Sequence, residues 1–415
     1  MQARGVVFSK DCWRVGTAID CKKTSQQVLA AHADDSRPCH IFSDLNDLLS
    51  PGRRSQLDSM MPTARESPEV KAESYSNMLD AMLGDLSGTF CKCAPCVLHP
   101  GESDQDGCCA KEVIVGSADV PKDGELTVWA AGTSCVNFSK RGKRECTSGS
   151  AMRPWKIWVA LVRQHKPHMI FHEITISRKA LAMLREDLSD LYCIHAAHVS
   201  PVDIGWPVDR PRQICLLTLK STITFVGNWT HWFELFACQV NISVAKLLAA
   251  PTEYTRSVMA ARARSHGHHV HPDQTVPIEC CLSPCQYKHH LLYLAAMAEN
   301  MGPDGTFCYD VEQHPDFNMS GPFVPTLVSH GTVVVHSSSY TIILGGKQHM
   351  VAMGEPLFDA QQMGHNHVSS FADLARSDVL AESTMKDLAG NAFHEAVFGL
   401  MLLYALAFTI KDTDV

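Results

Sequence analysis

The hydrophobic and polar positions of the first fifty residues alternate between strand-like and helix-like patterns. An apolar strand ends near Ile19, a helix is predicted over residues 22–33, and a strand that runs into a loop is predicted over 40–45. Strand, helix and strand at this spacing are typical of a parallel βαβ unit. We therefore expect an α/β fold at the start of the chain.

The same pattern returns at residue 126. Apolar runs predict strands over 126–132, 168–176 and 214–220, and apolar residues at helical spacing predict helices over 153–167 and 177–191. We expect one core from residues 1–50 and 126–222. The segment between them, 51–125, begins with Pro-Gly, carries scattered Pro, Ser, Gly and Asp, and has five cysteines between 91 and 109. It is interpreted as a Cys-rich insertion or a long flexible excursion.

The C-terminal half is patterned differently. Residues 223–320 are less regular and rich in His, Cys and aromatic residues, and residues 321–356 are predicted to be rich in strands and loops. A helix over 385–408, preceded by a Gly-Asn turn, is expected to pack back onto the core within 380–415. Its most apolar run, 397–408, is too short to span a bilayer, so a buried helix is predicted.

Composition narrows the class of protein. Hydrophobic residues make up 45% and charged residues 19% of the 415 residues, which is typical of a globular chain and excludes a largely disordered one. The formal net charge of −8 disfavours an overall basic surface, although basic residues cluster locally at 139–144 and 262–271. No apolar signal segment opens the chain, so we expect the 17 cysteines to be reduced and the protein to be intracellular.

The first candidate for chemistry is the segment AAGTSCVNFS (130–139), where a predicted strand ends in a Gly-containing loop that presents Cys135. A basic stretch, KRGKR, follows. A thiol at a strand end near cations is a candidate nucleophile, because nearby positive charge favours the thiolate. The alternative is a small cysteine buried under a turn.

Charged residues follow on the next two strands. Glu173 ends the hydrophobic strand in FHEIT, which suits a site above the carboxyl edge of a sheet, or alternatively a cap on the next helix. Arg210 and Arg212 stand just before the strand at 214–220, where the alternative is a solvated surface turn.

In this order, these motifs resemble the cytosine-5 DNA methyltransferase family. TSCVNFS is similar to the family's Pro-Cys loop, Glu173-Ile174-Thr175 to its Glu-Asn-Val strand end, and residues 208–212 to its Gln-x-Arg-x-Arg motif. Segments 324–331, 340–356 and 388–399 resemble the last two family motifs. The resemblance implies an S-adenosylmethionine-dependent, Rossmann-like methyltransferase sheet with helices on both faces, plus a smaller irregular target-recognition region within 223–379.

The resemblance also implies a location in the nucleus and a reaction. A methyl group would pass from S-adenosylmethionine to carbon 5 of a flipped-out cytosine in DNA, through a covalent adduct with Cys135. Glu173 would bind and protonate ring nitrogen 3. Arg212, together with Arg210, would hold the ring carbonyl or a phosphate. As competing hypotheses, the same chemistry acts on tRNA, or the chain is a non-catalytic homologue that binds nucleic acid.

For the cofactor, the resemblance places Asp20 at the ribose, Asp44 near the adenine and Asn391 where the chain closes over the cofactor. Capping of helices and turns is the alternative role for both aspartates. The family's glycine-rich first motif would fall at or before Met1. The chain also departs from the family beside the nucleophile, where Ser134 stands in place of the proline.

Two cysteine and histidine clusters raise the question of metal. CKCAPC (91–96) with Cys108 and Cys109 offers thiols for a structural zinc, as does HGHHVH (266–271) with the cysteines at 280, 281 and 285. The adjacent pair suits one tetrahedral site poorly, so we favour a reduced Cys-rich loop and a polar loop, with no metal ligands assigned. No membrane partner is expected.

Overall fold

The computed structural model describes residues 17–31, 38, 40–91, 96–98, 126–133, 137–138, 145–271, 274–297, 301, 305–317, 320–355, 357–358 and 380–411. The chain divides into two compact units. Unit 1 comprises Met1–Ala197, Gln213–Val226 and Phe408–Val415, and unit 2 comprises His198–Arg212 and Gly227–Ala407.

Unit 1 is an α/β structure. Its strands are β1 (Thr17–Ile19), β2 (His40–Phe42), β3 (Val128–Gly132), β4 (Met169–Ile174), β5 (Tyr192–Val199, which ends in unit 2), β6 (Arg212–Leu219, which begins in unit 2), β7 (Ile223–Phe225) and β11 (Thr409–Lys411). Its helices are α1 (Lys23–Ala30), α2 (Pro51–Ser59), α3 (Pro68–Gly84), α4 (Leu86–Thr89), α5 (Met152–His165) and α6 (Arg178–Leu188). The predicted βαβ unit is confirmed, because β1 pairs in parallel with β2 across α1.

The largest sheet has the order β3-β4-β6-β5, with β3 parallel and β6 antiparallel to β4. Five of the six β4 residues and seven of the eight β6 residues are buried, so both faces of these two strands are covered. Each predicted strand and helix in this part of the chain is confirmed. The predicted helix over 153–167 ends at His165, because Lys166 precedes Pro167 and a residue before proline disfavours the helical conformation.

The expected flexible excursion after residue 50 is wrong for residues 51–89. They form α2, α3 and α4, and Tyr75, Met78 and Met82 of α3 lie in the same buried cluster as Trp155 of α5. These residues recur at helical spacing and form one apolar stripe. Pro51 and the proline at residue 68 occupy the first helical position, where a missing N–H costs little, so both mark helix starts rather than breaks.

Unit 2 is more regular than its sequence indicated. Its helices are α7 (Trp232–Phe236), α8 (Val244–Leu247), α9 (Thr252–Ser265), α10 (Pro284–Ala296), α11 (Gly346–Ala352), α12 (Glu382–Asn391) and α13 (Glu395–Ala407). An antiparallel sheet of order β10-β9-β8 is formed by Phe307–Asp310 (β8), Val333–His336 (β9) and Thr341–Ile343 (β10). Met259, Tyr293, Tyr309 and Val334 belong to the buried core that packs against this sheet. The strand-rich prediction for 321–356 is confirmed only up to Ile343, because α11 follows.

The predicted helix over 385–408 is two helices, and its supposed Gly-Asn turn is the end of α12. Ala392 adopts an extended conformation and separates α12 from α13. By length and composition, Glu382–Ala407 is long and apolar enough to cross a membrane. However, α12 and α13 measure only about 15 and 20 Å at 1.5 Å per residue, against about 30 Å of hydrocarbon core. Both helices belong to unit 2, whereas residues 380–415 were expected to join the core.

Candidate functional site

The end of β3 and the end of β4 meet at one edge of the large sheet. The strands are parallel, and Gly132, the last residue of β3, pairs with Glu173 of β4. Because the carboxyl ends of parallel strands open onto the same edge, the loop after Gly132 leaves the sheet beside the half-buried Glu173. Cys135 belongs to this loop but lies outside the described residues.

A buried histidine ties the start of that loop to β4. His172 precedes Glu173 and is 1% exposed. Its Nε2 lies 2.9 Å from Oγ1 of Thr133. The rings of Trp155 and Trp158 lie against it, with centroids 5.3 and 5.1 Å away. Burial lowers the pKa of His172 to about 3, so the ring is neutral near pH 7.

The chain is anchored again just after the loop. The backbone carbonyl of Asn137 accepts a hydrogen bond of 3.0 Å from the N–H of Cys146, and the Asn137 side chain is buried. A Cβ atom at Gly149 would clash with the side-chain amide of Asn137, so a larger residue there would displace this buried side chain. Phe138 packs against Trp155, with ring centroids 6.4 Å apart. Residues on both sides of the Cys135 position are therefore held against the same core.

The helix that supplies these tryptophans is fixed to its neighbour by a buried carboxylate. Asp187 of α6 accepts hydrogen bonds of 2.8 Å from Nε1 of Trp155 and from Nζ of Lys156. Asp187 and Lys156 are both buried, at 6% and 8% exposure. The ion pair and the indole bond together hold α5 against α6, and hence hold Trp155 beside His172.

Arg210 lies in unit 2, and its guanidinium donates hydrogen bonds to backbone carbonyls. It is 3% exposed and donates to the carbonyls of Leu327 (3.1 Å), Gly390 (3.0 Å) and Ala392 (3.0 Å). The Gly390 carbonyl is among the last four of α12, which have no partner within the helix. A guanidinium also suits the negative end of the helix dipole. In the described structure Arg210 therefore caps α12 and holds two segments predicted as late motifs.

Arg212 is in a different environment. It is the first residue of β6 and is half-buried, and its Nη1 donates to the carbonyl of Pro211 at 2.9 Å. The next residue, Gln213, pairs with Ile174, and Ile174 is the residue that follows Glu173 in β4. The strand that Arg212 begins thus starts at the sheet edge where β4 ends.

Asp20 and Asp44 follow the carboxyl ends of β1 and β2, the other parallel pair. One carboxylate oxygen of Asp20 accepts from the backbone N–H of Lys22 at 2.7 Å. One carboxylate oxygen of Asp44 accepts from the backbone and side-chain nitrogens of Asn46, at 2.8 and 2.7 Å. Both aspartates thus have the local capping role considered as the alternative, and each uses a single oxygen for the bonds described.

Asn391 is exposed at the end of α12, where its Nδ2 donates to the carbonyl of Asp387 at 2.7 Å. It belongs to unit 2, whereas Asp20 and Asp44 belong to unit 1. The amide carbonyl oxygen of Asn391 has no role in that bond.

The predicted cysteine and histidine clusters are only partly described. Cys96 is buried and accepts from the N–H of Ile41 at 3.5 Å, and Cys281 is buried with its thiol directed at the carbonyl of Met259. Among the residues that the structure describes, no group of three or more His, Cys, Asp or Glu side chains is arranged to hold a metal ion. Cys93, Cys108 and Cys109 lie outside the described residues.

Sequence reasoning missed His172 and Thr133. The signal was present, since His172 interrupts the apolar run of β4 on the same strand face as Ile170 and Ile174. A polar residue on a buried face requires a hydrogen-bond partner. The identity of that partner depends on the pairing of β3 with β4.

No protein-family model matches the sequence, and no curated protein matches it. Among solved structures, the chain is similar to the S. pombe Dnmt2 methyltransferase, with 11% identity, a TM-score of 0.44, and coverage of 94% of this chain and 90% of that one. It is also similar to the Entamoeba histolytica methyltransferase EhMeth (14% identity, TM-score 0.39, 68% and 77% covered). A third similar structure is a Spodoptera frugiperda DNMT2 variant (10% identity, TM-score 0.39, 94% and 91% covered).

Proposed function

We propose that this protein transfers a methyl group from S-adenosylmethionine to carbon 5 of cytosine in DNA, with Cys135 as the attacking thiolate. The observation that carries the proposal is the register of the two parallel strands β3 and β4. Gly132 pairs with Glu173, and both ends of the loop that contains Cys135 are anchored to that part of the core. The order of sequence motifs supports the same assignment.

The proposed chemistry needs a nucleophile and an acid at the same edge. Carbon 5 of cytosine is a poor nucleophile, so the Cys135 thiolate first adds to carbon 6 and forms a carbon–sulfur bond. Glu173, in its protonated form, donates a proton to ring nitrogen 3 and offsets the charge that the addition creates. Carbon 5 then takes the methyl group, whose bond to the sulfonium sulfur of the donor would break. The carbon 5 proton is lost to water, the carbon–sulfur bond to Cys135 breaks, and the nitrogen 3 proton returns to Glu173, so that the thiolate and the acid are both restored.

The described residues fit a cofactor with ribose hydroxyls in one respect. Asp20 and Asp44 follow adjacent parallel strands, and the bonds described for each engage one oxygen, so a second carboxylate oxygen can accept from a ligand. S-adenosylmethionine would supply an electrophilic methyl group there. Asn391 and Arg212 are the proposed contacts to cofactor and to substrate. Arg210 is proposed to act by positioning the segments that its guanidinium holds.

The decisive experiment measures transfer of labelled methyl groups to duplex DNA and to tRNA. We expect transfer to DNA by the unmodified chain, and its loss in Cys135→Ser and Glu173→Gln. Cys146→Ser is the matched control, because it changes a nearby half-buried thiol and should retain transfer. A duplex containing 5-fluorocytosine should trap a denaturation-resistant adduct through Cys135, since fluorine cannot leave carbon 5 as a cation.

Three outcomes contradict the proposal. Folded protein that transfers nothing but still binds DNA would identify a non-catalytic homologue. Transfer confined to tRNA would keep the chemistry and change the substrate. An adduct that persists in Cys135→Ser would move the nucleophile to another residue.

A further inference from the structure

Two histidines connect β4 to β3 at opposite ends of the strands. His168 directly precedes β4, and His172 lies within it. At the amino ends of the strands, Nδ1 of His168 accepts the backbone N–H of Thr127 at 3.0 Å. At the carboxyl ends, Nε2 of His172 meets Oγ1 of Thr133 at 2.9 Å. Only the second tie lies at the edge where Glu173 is found, and its threonine is two residues from Cys135.

The His172 ring is held in one orientation. Trp155 contacts it edge-on, at an interplanar angle of 82°, and Trp158 covers it at 33°. The buried Nδ1 has no hydrogen-bond partner among the described residues. A buried N–H without an acceptor is costlier than a bare ring nitrogen, so the ring proton belongs on Nε2. Oγ1 of Thr133 is then the acceptor, and its own hydrogen can be directed elsewhere.

We propose that His172 is a positioning residue that fixes the nucleophile loop through the Thr133 hydroxyl. A proline ring restricts the backbone and a serine side chain does not, so with Ser134 in the sequence such a restraint has to come from side-chain contacts. The bond to a fully buried ring beside Glu173 supplies such a restraint. This inference rests on the proposed function, since it assigns the restraint to the thiol that attacks cytosine.

The test compares paired substitutions at the two ends of the strands. Thr133→Val and His172→Phe remove the bond, whereas Thr133→Ser and His172→Gln keep a hydroxyl or an N–H in place. His168→Phe is the matched control, because it removes the corresponding tie at the amino ends. Two rates are measured for each folded variant: alkylation of Cys135 by iodoacetamide, mapped by mass spectrometry, and methyl transfer, resolved into kcat and KM.

We expect kcat to fall about fivefold in Thr133→Val and in His172→Phe, the factor expected for one neutral hydrogen bond, with KM nearly unchanged. Cys135 alkylation should instead rise about fivefold. A small reagent reaches a less restrained thiol more often, whereas attack on the ring requires one geometry. The kcat of the double variant Thr133→Val, His172→Phe should be no lower than that of the more affected single variant, because both substitutions remove the same bond. Thr133→Ser, His172→Gln and His168→Phe should resemble the unmodified chain.

Unchanged alkylation in Thr133→Val would overturn the proposal, and so would equal effects of His168→Phe and His172→Phe. A parallel fall in alkylation and kcat would also overturn it, because the pair would then lower the thiol pKa rather than position the loop. If the unmodified chain transfers no methyl group but alkylation still depends on the Thr133 hydroxyl, the proposed function fails and the positioning role stands.

Discussion

Replacement of Arg210 tests whether this residue positions backbone segments or contacts the substrate directly. The guanidinium is 3% exposed and donates to three backbone carbonyls, at Leu327, Gly390 and Ala392. Arg210→Met keeps most of the apolar stem and removes every donor. The carbonyls at the end of α12 then lose their charged cap.

The magnitude follows from the number of bonds. A hydrogen bond to a charged group contributes about 1.5–3 kcal/mol, so three would give at most about 9 kcal/mol if they were additive. They share one side chain and are not additive. A buried acceptor left without its donor costs about 1–3 kcal/mol, and because three carbonyls lose one shared donor group we expect about 3 kcal/mol for Arg210→Met. Arg210→Lys should lose less stability, because the lysine ammonium keeps the charge but not the planar, forked set of donors of the guanidinium.

Hydrogen exchange resolved by peptide is the appropriate assay, because a chain with two units need not unfold in one step. Exchange in peptides that contain Leu327 and Gly390 should accelerate about a hundredfold or more, as about 3 kcal/mol requires. Arg212→Met is the control, since Arg212 is half-buried, and its cost should stay below about 1 kcal/mol. If Arg210→Met abolishes methyl transfer and leaves exchange unchanged, the capping role is refuted and Arg210 contacts substrate.

Two further predictions concern buried charge and pH. Asp187→Asn should lower the free energy of unfolding by about 3 kcal/mol, because Lys156 keeps a buried charge without its partner. Adding Lys156→Met to Asp187→Asn should restore part of the lost stability. Equal urea midpoints for the unmodified chain, Asp187→Asn and the double variant would contradict this. Burial lowers the pKa of His172, His349 and His394 to about 3. Since the unfolded chain takes up these protons from about pH 6.5, stability should fall as pH drops from 6.5 towards 3, by up to about 1.4 kcal/mol per pH unit for each histidine. His349→Phe should reduce that slope in urea titrations at pH 7, 6 and 5, and an unchanged slope would show that its ring is not neutral in the fold.

Where the sequence was misleading, the physical reasons are specific. Pro51 was interpreted as a loop residue but starts a helix, because proline is equally suited to both positions. β5 was not predicted, since Tyr192–Val199 carries two histidines and two alanines and lacks a regular alternation of buried and exposed residues. Gly390 belongs to the last turn of a helix, whereas glycine more often follows a helix end.

The sequence by itself determined the order and type of the elements from β3 to α6 and the position of Glu173 at a strand end. Those features depend on periodicity within about ten neighbouring residues. Tertiary structure alone decided which atoms meet. Gly132 pairs with Glu173, Thr133 bonds to His172 across 39 residues, and Arg210 reaches a carbonyl 180 residues away. Strand register and buried donors are satisfied by partners distant in sequence, and no local pattern specifies them.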